Sequence, residues 1–173
     1  MPLIKDRRIV ADDWRHVADG EALPAEGGVI VSLARWQAER DSLDGRNAPL
    51  GIRLKSDERP DSIAADLDRF GLVALEFPGF KDGRAYSTAR LLRERYRYTG
   101  ELRAVGEVLR DQLYFMLRCG FDAFEYSGAT AAQEAVAAFD EMSVVYQTAA
   151  DRRRSAAATR SDRSSAFLNG TCG

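Results

Sequence analysis

The chain has 173 residues, 45% hydrophobic and 9% aromatic, with a formal charge of −2 and a pI near 5.6. That is enough apolar material for one soluble domain with a core, which excludes a wholly disordered chain; the near-neutral balance gives no global pull toward nucleic acid or an anionic membrane, although 22 of the 25 basic residues are Arg. Cys119 and Cys172 are the only cysteines and His16 the only histidine, too few within one chain for a Cys/His zinc centre or a four-thiolate iron–sulfur cluster.

The opening MPLIKDRRIVADDW puts charges where a secretory leader needs an apolar core, and no run approaches the roughly 18 apolar residues of a membrane span, so a cytoplasmic protein with reduced thiols is expected. Residues 1–28 read as an N-terminal extension holding a short hairpin or irregular strand, with Asp19-Gly20 as its turn signal.

From Val29 short apolar runs alternate with helical periods. The runs are VIVSL (29–33), GIRL (51–54), LVALEF (72–77), LRAVG (102–106), DAFEY (122–126) and SVVYQ (143–147). Between them stand ARWQAERD, PDSIAADLDRF, RAYSTARLLRERYRY, EVLRDQLYFMLR and TAAQEAVAAFDEM. This is the pattern of βαβ units, and it predicts an α/β domain over 29–147 with a mainly parallel sheet of five or six strands and flanking helices. A doubly wound, open three-layer sheet is the expected arrangement, with a partial βα-barrel as the alternative.

Local signals support the helices. Pro60 and Asp61 suit a first turn, and Ile63, Leu67 and Phe70 then recur on one stripe. Ala85, Ala89, Leu92 and Tyr96 do the same in the next helix, for which Gly100 reads as a left-handed cap; Leu109, Leu113, Met116 and Leu117 mark the apolar face of the one after, capped by Gly120. Residues 148–173 are mostly Ala, Ser, Thr, Arg and Asp, a composition that reads as a disordered basic tail, functionless in the leading reading, with Phe167 and Leu168 as a weak docking point in the other.

In parallel α/β sheets ligands gather beyond the carboxyl ends of the strands. The loop after Phe77 is the richest, Pro78-Gly79-Phe80-Lys81-Asp82-Gly83-Arg84 leading into a helix. Two readings fit it. Asp82-Gly83 is a plain turn with Asp82 or Ser87 as helix cap and solvated arginines; or glycines, helix-start N–H groups and guanidinium groups together hold a small oxyanion, with Lys81, Asp82, Gly83, Arg84, Tyr86, Ser87 and Arg90 as the candidate residues. Elsewhere the plain reading leads: Glu107 and Asp111 as a solvated helix face, Cys119 as a buried inert thiol, Cys172 as incidental, His16 as a surface or capping residue, and Arg103 as a structural ion-pair partner. No G-x-G-x-x-G and no G-x-x-x-x-G-K-[ST] occurs, which weakens dinucleotide and ATP readings.

The run FKDGRAYS (80–87), the run YTGELRAVG (98–106), Asp111-Gln112 and RCGFD (118–122) resemble the bacterial domain of unknown function 934 family, labelled as oxidoreductases of sulfite reduction; the resemblance spans roughly residues 29–146. It implies an accessory role in assimilatory sulfate and sulfite reduction, with sulfite reductase or another sulfate-assimilation enzyme as partner and neither nucleic acid nor membrane. Sulfite reductase itself needs siroheme and an iron–sulfur cluster, and two cysteines cannot supply the latter. No cofactor is therefore expected on this chain. A small α/β enzyme, flavin-linked or not, that binds an anionic substrate is the alternative.

Overall fold

The computed structural model describes residues 2–127 and 129–139. Three short strands precede the first predicted one. β1 (Leu3–Lys5) and β2 (Arg8–Val10) form an antiparallel hairpin whose turn residues, Asp6 and Arg7, sit at φ 50° and 60°, the left-handed pair that matches the twist of the flanking strands. β3 (Trp14–His16) follows, then β4 (Gly28–Ser32), β5 (Leu50–Leu54), β6 (Leu72–Phe77), β7 (Glu101–Gly106) and β8 (Ala123–Glu125). Asp19-Gly20 does turn the chain, with Gly20 at φ 80° and Glu21 N bonded to Ala18 O at 3.1 Å, but between β3 and β4 and not within a hairpin.

All eight strands join one sheet in the order β2-β1-β8-β7-β6-β5-β4-β3. Strands β3 to β8 run parallel, while β1 is antiparallel to both of its neighbours, β2 and β8. The expectation of five or six mainly parallel strands, doubly wound, is thus corrected to a mixed, eight-stranded, curled half-barrel. Two physical reasons account for the difference. Strands of three residues are too short to show a period of two, so β1 to β3 left no pattern to read. The parallel strands also lie side by side in chain order, and right-handed crossovers that never reverse direction put every helix on the same face.

That outer face carries α1 (Leu33–Ala38), α2 (Arg40–Asp44), a 3₁₀ stretch over Pro60–Arg69, α3 (Arg84–Arg90) running on into a π turn at Leu91–Arg95, α4 (Arg110–Cys119) and α5 (Ala129–Ala138). Trp36, Ile63, Ala89, Leu92, Leu113 and Met116 from these helices pack with Val31, Ile52, Leu75 and Phe77 from the strands in one apolar cluster. The left-handed cap at Gly120 is present at φ 105°. Gly100 is no such cap: Arg97, at φ 56°, takes the left-handed turn, and Gly100 is needed because a Cβ there would meet Tyr98 Oη at 2.3 Å and Gly71 O at 2.9 Å.

The inner face holds a smaller apolar cluster of Ile30, Leu72, Ala74 and Val105, against which Trp14 packs. The Trp14 indole lies over glycines, since a Cβ on Gly28 would fall 2.7 Å from its ring and one on Gly51 3.2 Å away. Curling is strong enough that His16 Nε2 on β3 sits 2.7 Å from Glu125 Oε1 on β8, across four intervening strands. The expected strand at 143–147 and the tail at 148–173, with Phe167, Leu168 and Cys172, lie outside the described residues. Among the described residues no helix is long and apolar enough to cross a membrane.

Candidate functional site

Two places on the sheet gather functional side chains. The first is the predicted loop between β6 and α3. Arg84 donates to Asp82 through Nε at 3.0 Å and Nη2 at 2.6 Å, and Nη2 also reaches Ser56 Oγ at 2.9 Å. The hydrogen bond from Arg84, helped by Ser56, holds the Asp82 carboxyl far below the usual range. Three of the loop's N–H groups are spent internally: Phe80 N donates to Glu107 Oε2 at 2.9 Å, Asp82 N to Gly79 O at 3.0 Å and Arg84 N to Asp82 Oδ1 at 3.2 Å. Carboxylates of the chain thus stand where an anion would accept. Gly83 directly precedes α3 at an ordinary φ of −94°.

Of the other candidates, Lys81 is exposed and Arg90 pairs with Glu94 at 3.0 Å. Tyr86 packs edge-on and tilted between Phe77 and Phe115, with ring centroids 5.1 and 4.9 Å away, and burial raises its hydroxyl pKa; it is a packing residue. Ser87 and Arg84 do meet, lining with Ser56, Arg59, Thr88 and Leu91 a cleft of about 260 Å³ that also takes in Asp57, Glu58 and Asp61. Cys119 is buried beneath α4, where desolvation raises its thiol pKa against the pull of Arg90 and Arg118.

The second place is the mouth of the curled sheet. Arg103 is fully buried on the inner face, and its guanidinium meets Asp12 Oδ2 at 2.8 Å, Glu101 Oε1 at 2.7 Å and Glu125 Oε1 at 3.0 Å. Lys5 Nζ in turn meets Glu101 Oε2 at 2.7 Å. Burial pushes the Glu125 carboxyl up, but the His16 hydrogen bond and the Arg103 guanidinium outweigh it and hold the group below the usual range. Above this network Arg53 and Glu76 face each other at 3.8 Å, an ion pair beyond hydrogen-bond distance, and Ser32 Oγ donates to Asp19 Oδ1 at 2.5 Å while accepting from Arg35 N at 3.0 Å.

Reading the sequence missed this second place. His16 and Glu125 are 109 residues apart, so nothing local links them. One signal was present: GIRL, LVALEF and LRAVG each carry a single charged residue, Arg53, Glu76 and Arg103, in an otherwise apolar strand, and a period of two turns all three to the inner face.

The chain belongs to the bacterial family of proteins of unknown function DUF934, whose model matches residues 51–157. No curated protein matches it.

Proposed function

We propose that the protein serves assimilatory sulfite reduction as an accessory factor in the cytoplasm and is not itself the sulfite-reducing catalyst. The chain belongs to the family, and the role in sulfite reduction that the resemblance to it implies supports the pathway. One observation carries the accessory role: at the loop where the fold offers an anionic substrate a seat, Glu107 takes the Phe80 N–H and Asp82 with Ser56 takes the Arg84 guanidinium. The thiol inventory agrees, since two cysteines cannot hold an iron–sulfur cluster and the one within the described residues is buried with a raised pKa.

Deletion of the gene followed by growth on sulfate, sulfite, sulfide and cysteine in turn tests the reading. Poor growth on sulfate or sulfite with recovery on sulfide or cysteine is the expected result; normal growth on all four, in a strain without a second copy, overturns it. A second reading, a small enzyme acting on an anionic substrate with or without a flavin, is favoured by the cleft that Arg84 and Ser87 share. Stoichiometric flavin and turnover of an electron donor by the pure protein would decide for it.

A further inference from the structure

Five inner-face residues of the curled sheet share one property: each is the last or next-to-last residue of its strand. His16 ends β3, Ser32 ends β4, Arg53 is next to last in β5, Glu76 next to last in β6, and Glu125 ends β8. Pleat parity turns all five inward. His16, Ser32, Arg53 and Glu76 each lie two residues from, or in register with, the inner-face residues Trp14, Ile30, Ala74 and Val105, and Glu125 lies two residues from Ala123, in register with the inward Arg103. Inward side chains at the carboxyl ends of several βα strands are where this architecture builds its ligand sites.

The charges there fall into two sets. Arg103 and Lys5 balance Asp12 and Glu101, and Arg103 with His16 also holds Glu125. On the same face Arg53 and Glu76 form a separate ion pair at 3.8 Å, with Glu125 two strands from Glu76. Arg53 and Glu76 are 39% and 31% exposed and stand too far apart for a hydrogen bond, so among the described residues their donors and acceptors remain open. Both ion pairs of Glu125 use its Oε1, which leaves Oε2 for a further donor. A simple anion at Arg53 would be repelled by the Glu76 carboxylate, and a simple amine at Glu76 by the guanidinium. A molecule with both charges close together satisfies each.

We propose that this mouth binds a small zwitterion of the α-amino-acid type, its carboxylate on Arg53 and its ammonium on Glu76 and Glu125. Arg53 and Glu76 are diagonal neighbours on adjacent strands, since Arg53 is in register with Ala74 and Glu76 lies two residues on, which suits a ligand whose charged ends are one carbon apart. The inference stands apart from the sulfite-reduction reading: its test uses purified protein, and growth phenotypes do not enter.

The experiment is calorimetric titration of the full chain with glycine, L-serine and L-cysteine, beside acetate and ethylamine as ligands with one charge each. The zwitterions are expected to bind, with each single-charge ligand roughly ten-fold or more weaker, and Arg53→Gln and Glu76→Gln are expected to weaken zwitterion binding by roughly ten-fold or more. Arg84→Ala, at the other rim site, should leave it unchanged. Unaltered thermal melts of the two mouth variants establish that they fold. No binding by any of the three amino acids, equal binding by acetate or ethylamine, or undiminished binding by either mouth variant overturns the proposal.

Discussion

The two faces of the sheet are held together by different physics. On the outer face, side chains from six helical segments and the strands bury each other, and the stabilisation grows with apolar area removed from water. On the inner face the apolar cluster is small, and a fully buried guanidinium is held by three carboxylates. Apolar packing tolerates a lost methyl group in proportion to its size. A buried charge network does not, because removing one member leaves its partners desolvated and uncompensated.

The sharpest break of this contrast is Arg103→Ala. It strands Asp12, Glu101 and Glu125 without their common cation and is expected to cost about 3–5 kcal/mol in urea denaturation. Arg103→Lys should rescue little, since an ammonium cannot serve three carboxylates with the same planar fork.

Next comes Glu125→Gln, expected to cost about 1.5–3 kcal/mol near neutral pH. The folded carboxyl is held below its unfolded value, so its contribution is present above the unfolded pKa and lost as pH falls through the folded one. The stability gap between wild type and variant should therefore close as pH is lowered from about 7 toward about 3. A gap that stays constant would show that Glu125 acts by packing and not by charge.

On the outer face, Ile52→Val removes one methyl group from a fully buried position and should cost about 0.5–1.5 kcal/mol, with no change between those two pH values. The smallest effect is expected at the rim, where Arg84→Ala breaks an exposed ion pair with Asp82 and should shift stability less than any of the other variants, the shift declining with added salt. If Arg84→Ala proved the most damaging of the four, the loop after β6 would be a structural keystone and the division between faces would fail.

The local character of the outer face was legible in the sequence. The stripes Ile63–Leu67–Phe70 and Ala85–Ala89–Leu92, the proline at the first turn of Pro60–Arg69 and the cap at Gly120 all follow from short-range geometry, and each is found buried or placed as read. So does the α/β class, because alternating periods of two and 3.6 need only neighbouring residues to declare themselves. The loop after β6 was legible as a turn with charged residues, whereas the spending of its N–H groups on Glu107, 27 positions from Phe80, was not.

What only the tertiary structure decided is the order of the strands, the curl of the sheet and the partners of the inward charges. Strand order depends on which way each crossover turns, and periodicity carries no record of that direction. Curl brings His16 to Glu125 and Asp12 to Arg103, pairs 109 and 91 residues apart. Sequence could name Arg53, Glu76 and Arg103 as misplaced charges in apolar strands, but a charge buried at a cost and a charge buried with its partner read alike until the chain folds back on itself.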